Sequence, residues 1–282
     1  MNTPLLEPGL YIVATPIGNL GDVSRRAIDI LSACALIACE DTRVTGKLLH
    51  HVGIKRPMRR YDDHASDAAR EKLLGEIAQM PVALVSDAGT PLISDPGYRL
   101  VREARARGMV VTSIPGPSAL VTALTLAGLP TDRFLFAGFL PSKDKARGDT
   151  LRDLAAMPVT LVFYETGPRL VASLEALALI MPGREVAVAR ELTKLHEECR
   201  SGSASELAAH YTAHPPRGEI VLLAGPPPAP DKPADADIDT QLREALAQLP
   251  PSQAAGRVAK AHGLDRKALY ARAMQLKLEL NA

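Results

Sequence analysis

The chain has 282 residues, 46% of them hydrophobic, and a net charge of +1. That length divides most comfortably into two domains with a core each, and a near-zero charge excludes a histone-like binder held to polyanions by bulk electrostatics. No apolar run is long enough to cross a bilayer as a helix. The opening stretch MNTPLLEPGLYIVAT lacks the basic start and apolar centre of a secretory signal. Three cysteines, Cys34, Cys39 and Cys199, have neither disulfide-framework nor metal-ligand spacing. A cytoplasmic chain whose thiols serve as small buried hydrophobes is the expectation.

From the amino terminus, short apolar runs alternate with helical patterns. LYIVAT (10–15), ALIAC (35–39), VALVS (82–86) and MVVTSI (109–114) read as strands. Helices are predicted from Ser24, near 42–51 and from Asp95. Asp95 is read as the N-cap with Pro96 at the first helical position, and Gly108 as the left-handed residue closing that helix. Such alternation implies right-handed crossovers and a mainly parallel sheet, with ligands beyond the carboxyl ends of its strands. PGPSALVTALTLAGLP (115–130) reads as a helix of small residues. After it FLFAGFL (134–140), TLVFYE (160–165), EVAVARE (185–191) and EIVLLAG (219–225) are strand candidates around a helix at 169–180, spaced as a mixed sheet would be. PPPAPDKPADAD (226–237) has a linker's composition, and the remainder breaks into three short helices at Pro250-Pro251 and Gly263. The predicted architecture is therefore α/β: an N-terminal domain over 1–117, a second over 118–226, a linker over 227–237 and a small helical appendage over 238–282.

Positive charge segregates into 42–60, 140–147 and 256–277. Each run suits a solvated helix face; three together favour a polyanionic partner. Three turns rich in Gly, Pro and small hydroxyl residues, after Thr15, Ser86 and Ile114, fall on one predicted sheet edge and would wall a cleft largely with backbone. The dinucleotide fingerprint and phosphate loop are absent, the histidines have no metal spacing, and no nucleophile elbow occurs. A protein without such signatures suits a reaction whose reactivity resides in a cofactor, where it must chiefly align reactants and exclude water.

VATPIGNLGD, ACEDTR, SDAGTPLISDPG, PGPSA, GFLPSK, FYE and ARELTK, in this order and spacing, resemble the tetrapyrrole methylase superfamily, and most closely its branch acting on ribosomal RNA. The resemblance covers roughly 10–225 and implies two α/β domains, S-adenosylmethionine in the cleft between them and a homodimer. It implies cofactor contacts from Pro16, Asp87, Ala88, Gly89, Thr90, Ile93, Ser118, Ala119, Glu165 and Leu192, with Ala88 and Gly89 bare of side chain to leave the cofactor room. It implies methylation of the ribose 2′-hydroxyl of a decoding-region cytidine in 16S ribosomal RNA. Asp41 and His64 are the expected catalytic residues, although Asp41 equally suits the N-cap of the next helix. Glu40, Arg43, Lys143, Arg147 and Arg169 are the expected substrate contacts, Lys143 and Arg147 as phosphate grips. One departure is Pro168, which stands just before Arg169 where relatives carry histidine. A small-tetrapyrrole methyltransferase and a noncatalytic RNA-binding assembly factor would use the same fold. EDTR, DAGTP and the basic appendage argue against the first, and the retained cofactor turns against the second. No metal and no membrane are expected to take part.

Overall fold

The structure, a computed structural model, describes residues 5–62, 65–228 and 235–280. It forms two compact units, one through Pro227 and one from Pro228.

In the first unit, β1 (Gly9–Val13), α1 (Arg25–Ala33), β2 (Leu36–Cys39), α2 (Thr42–His51), β3 (Met58–Arg60), α3 (Asp67–Ile77), β4 (Pro81–Val85), α4 (Tyr98–Ala106) and β5 (Val111–Ile114) build a sheet of order β3-β2-β4-β1-β5. Every pairing in it is parallel. Parallel strands need covered crossovers, and alternate residues feed the two covers. Tyr11, Ile37 and Ala83 pack toward α1 and α2, while Leu10, Leu36 and Val82 pack toward α3 and α4. Ser24 starts α1 by accepting from the Ala27 N–H at 3.1 Å.

A second sheet follows: α5 (Ala119–Leu126), β6 (Phe134–Phe139), α6 (Asp144–Ala155), β7 (Thr160–Thr166), α7 (Gly167–Ile180), β8 (Glu185–Arg190), β9 (Glu198–Ser203), α8 (Ala204–Ala213) and β10 (Glu219–Ala224). Its order is β6-β7-β10-β8-β9, with β6 parallel to β7 and the other pairs antiparallel. Helices α6, α7 and α8 cover one face around Phe163, Leu174, Leu222 and Tyr211. The other face packs on α5, and Ile17 from the turn after β1 joins that core. Buried Arg184 ties the far end together by donating to the carbonyls of Ala155, Met157, Val159 and Gly225 at 2.6–3.2 Å.

The second unit is a three-helix cluster, α9 (Asp235–Leu246), α10 (Pro251–His262) and α11 (Arg266–Leu280), around Leu242, Ala255, Val258 and Leu276. Gly263, at φ +62°, closes α10 in the left-handed region. Because α9 begins at Asp235, the stretch expected to act as linker to 237 is shorter than predicted.

Several elements differ from the sequence-based expectation. Strands β3 (MRR) and β9 (ECRSGS) lack the apolar alternation that announces a strand, since both are sheet edges with one side solvated. Cys199 lies on β9 and is exposed, unlike buried Cys34 and Cys39. Asp95 does not cap α4: that helix starts at Tyr98, with Gly97 at φ +126° as N-cap and no side-chain cap bond. Gly108 does take the left-handed conformation after it, at φ +70°. Pro168 falls in the first turn of α7, where a missing N–H leaves no intrahelical acceptor unpaired. The preceding Gly167 is required by packing, because a Cβ there would run into the Pro216 carbonyl.

Candidate active site

The turns after β1, β4 and β5 lie side by side, since these strands are neighbours and parallel. Backbone bonds lock them: Thr15 N–H donates to Gly89 O at 2.8 Å and Gly89 N–H donates to Thr15 O at 3.0 Å. Thr90 Oγ1 donates to Pro117 O at 3.1 Å, binding the second turn to the third. Gly89 has φ +78°, where an L side chain is strained, and a Cβ there would press on Ile17 at 3.3 Å. The glycine is thus required first by the turn and its neighbour, ahead of any demand from a ligand.

Opposite stands the loop between β8 and β9. Glu191 at φ +50° and Thr193 at φ +65° bracket Leu192, just as Leu92 at φ +73° and Ser94 at φ +62° bracket Ile93 in the loop after β4. Four non-glycine residues in left-handed backbone are costly and gather here, on the two loops that face one cavity. Each pair turns an apolar residue, Ile93 or Leu192, into its wall. Asn19 N–H donates to Thr193 Oγ1 at 3.1 Å, and Gly18 lies so close to this loop that a Cβ would stand 2.6 Å from the Lys194 side chain. The cleft, about 340 Å³, is lined by small residues (Ala88, Gly89, Ser118, Ala119, Ala189), apolar ones (Ile17, Ile93, Leu192, Val221) and six carboxylates (Glu40, Asp87, Asp95, Glu165, Glu191, Glu219). It is large enough for a nucleoside-sized ligand, and its charge suits a cation.

Residues 9–208 match the Tetrapyrrole (Corrin/Porphyrin) Methylases, and 232–277 match the RsmI C-terminal HTH domain. The protein named ribosomal RNA small subunit methyltransferase I of Erythrobacter litoralis is 64% identical over 96% of both chains, and that of Escherichia coli O157:H7 is 46% identical over 94% of both. The chain belongs to the ribosomal RNA small subunit methyltransferase I family of tetrapyrrole methylases. The likeness in fold extends to diphthine synthase (TM-score 0.59, 12% identity, 77% of this chain and 89% of that one). It extends also to uroporphyrin-III-C-methyltransferase from Thermus thermophilus (TM-score 0.54, 19% identity, 78% and 94%).

The cofactor of this methyltransferase family is S-adenosylmethionine. The cleft fits it: a bare-walled turn at Ala88 and Gly89, apolar walls at Ile93 and Leu192, and a carboxylate-rich surround for a sulfonium and an ammonium. Of the residues the resemblance implied as cofactor contacts, Asp87, Ala88, Gly89, Thr90, Ile93, Ser118, Ala119, Glu165 and Leu192 line the cleft. Pro16 does not; the wall beside it is formed by Ile17. Glu165 is fully buried, and its carboxylate accepts from Ser173 Oγ at 2.6 Å and Thr166 N–H at 2.9 Å and pairs with Arg169 at 3.2 Å. Its side chain therefore anchors α7 to β7.

The expected substrate residues separate. Glu40 lines the cleft, whereas Arg43, Lys143, Arg147 and Arg169 do not. Arg147 is corrected as a phosphate grip: it is 6% exposed, with its guanidinium on Asp144 at 2.6 Å and Ser142 O at 3.3 Å. Arg169 is likewise engaged, with Glu165 and the Leu140 carbonyl. Lys143 and Arg43 are exposed. Asp41 is the N-cap of α2, accepting from the Arg43 N–H at 2.8 Å; the bonded Arg43 side chain holds its carboxyl down to about 2. That environment makes it a poor proton acceptor near neutrality. His64 lies outside the described residues.

Sequence reasoning missed Asp95, Tyr164, Glu191, Lys194 and Glu219, all on the cleft wall. Burial pushes the Asp95 carboxyl up to about 6; a hydrogen bond from the Ser86 hydroxyl opposes the rise, and the nearby Glu40, Asp87 and Glu219 carboxylates each add a smaller upward push. Asp87 is raised too, chiefly by burial, with its acceptance of the Asp41 N–H at 3.0 Å working against the rise.

Proposed function

We propose that this chain methylates the ribose 2′-hydroxyl of a cytidine in the decoding region of 16S ribosomal RNA, with S-adenosylmethionine as donor. The observation that carries the reading is 64% identity across 96% of a relative named ribosomal RNA small subunit methyltransferase I. The cleft supplies its physical basis. The cofactor brings a methyl group already activated by positive charge on sulfur, so the protein's tasks are binding, orientation and exclusion of water. The joined turns fix the donor's side of the cleft, and the loop around Leu192 closes the other. Glu40, one of the expected substrate contacts, lies on the same wall.

RNA is gripped outside the cleft in this reading. Arg257, Lys260, Arg266, Lys267 and Lys277 are exposed on α10 and α11, an arrangement suited to phosphates. The chain acts as a homodimer in the cytoplasm and needs no metal. Purified small ribosomal subunits and labelled S-adenosylmethionine test the proposal: label should enter 16S RNA as one 2′-O-methylcytidine, and incorporation into a base alone would contradict it. Sedimentation of the purified protein checks the dimer.

A further inference from the structure

We propose that Phe139 is the platform on which the base of the acceptor cytidine stacks while its ribose is methylated. The inference rests on the function just proposed and deepens it by naming what holds the acceptor.

The chain is poor in aromatic residues, with four phenylalanines, six tyrosines and no tryptophan. Among the described residues, four of these side chains are exposed: Tyr98, Phe134, Phe139 and Tyr270. Of the four, only Phe139 lines the cleft. It is 50% exposed, so it stands at the rim of the cleft with an apolar ring in water. A single exposed apolar residue is ordinary on a protein surface, but one turned toward a cavity by a break in its strand needs a reason.

That break lies in β6. Side chains alternate along a strand, so Leu135 and Ala137 pack on the side of α6, α7 and α8, and Phe136 packs on the other side with α5. Regular alternation would send Phe139 the way of Leu135 and Ala137. Instead the pairing with β7 slips: Phe136 stands opposite Val162 and Phe139 opposite Tyr164. Gly138, at φ +67°, takes up the extra residue of this bulge. Phe139 is thereby turned onto the face of Phe136 and Tyr164, which is the face that carries the cleft. A Cβ on Gly138 would lie 3.6 Å from Ser94 Oγ, so the bulge abuts the loop after β4. Tyr164 braces the Phe139 ring from one side, edge to face, at 5.7 Å and 63°, and Phe136 meets Tyr164 in turn at 4.8 Å. An edge contact of this kind leaves a face of the Phe139 ring uncovered.

A cytidine in folded RNA is stacked on its neighbours. For its 2′-hydroxyl to reach a donor held in a cleft, the nucleotide must leave that stack, and a protein lowers the cost by offering the base a new π-surface. Phe139 offers one at the rim of the donor's cleft. Lys143 and Lys145, exposed just beyond it in the chain, are placed to meet the neighbouring phosphates. Because every base has a π-face, the platform orients the acceptor and leaves the choice of base to other contacts.

The test compares wild type with Phe139→Leu, which keeps an apolar side chain against Tyr164 but has no π-face, and with Phe139→Tyr, which keeps the ring. Methylation of purified small subunits is measured below saturation, beside calorimetry with S-adenosylmethionine, which also reports that the cleft is intact. Phe139→Leu should transfer methyl about tenfold more slowly with cofactor affinity within about twofold of wild type, and Phe139→Tyr should stay within about twofold of wild type in both. A Phe139→Leu rate equal to wild type would overturn the inference. Equal losses of rate in the two variants would do so too, since they would assign the position to packing and not to stacking. A loss of cofactor affinity as large as the loss of rate would make Phe139 a wall for the donor's adenine and would likewise overturn it. A wild-type protein inert on small subunits would instead overturn the function on which the inference rests.

Discussion

Asp95 shows what a place on the cleft wall costs a single carboxylate. Its folded-state value of about 6 lies above that of an ordinary carboxyl, so the folded chain keeps a proton that the unfolded chain has released. Its contribution to stability therefore falls as pH rises from about 4 to 6 and stays reduced above, by at most about 3 kcal/mol, less what solvent screening removes. Asparagine cannot ionise. Asp95→Asn is accordingly expected to unfold at higher denaturant than wild type at pH 8 and at the same denaturant at pH 4; equal stability at both would show that the site accommodates the charge without strain. The sequence pointed to this residue for the wrong reason. Asp-Pro before an apolar pattern is a strong helix-start signal, but two left-handed residues and Gly97 displace the helix to Tyr98 and leave the carboxylate on the cleft. Ala88, Gly89, Thr90 and Ser118 were legible because turns of that composition need small residues wherever they occur. Arg147 and Arg169 misled because whether a guanidinium faces solvent or folds back on Asp144 or Glu165 is decided by tertiary packing.

At the scale of elements, the cleft depends on loops from two sheets meeting. The loop after β1 reaches the loop after β8 through Asn19 and Thr193, and Gly18 permits the approach. Gly18→Ala would place a Cβ 2.9 Å from Thr193 Oγ1 and 3.0 Å from Leu192 O. Overpacking of this kind costs about 1–3 kcal/mol, and here separating the loops relieves it. S-adenosylmethionine affinity, measured by calorimetry, should drop roughly tenfold or more with the folded state retained; unchanged affinity would mean that the Leu192 wall contributes nothing to binding. Central strands were readable from their apolar runs, whereas β3 and β9 were not, since an edge strand takes its identity from the partner it pairs with. Left-handed Thr193 carries no local signal either: a β-branched residue is the last expected there.

The molecule as a whole comprises a cleft-bearing unit through Pro227 and a helical unit beyond it. The break between the two units falls within the proline-rich stretch, and Pro250 and Gly263 flank α10. Because each unit has its own core, a chain ending at Pro227 should still bind S-adenosylmethionine. It should bind 16S RNA more weakly and with a shallower dependence on salt, having lost the cations of α10 and α11. An unaltered salt slope by filter binding would move the RNA grip to the first unit.

The most direct measurement is a map of ribose methylation along 16S RNA from cells with and without this chain. One 2′-O-methyl group on a decoding-region cytidine should be missing without it and restored by the wild-type chain. A map that is identical in both would contradict the account.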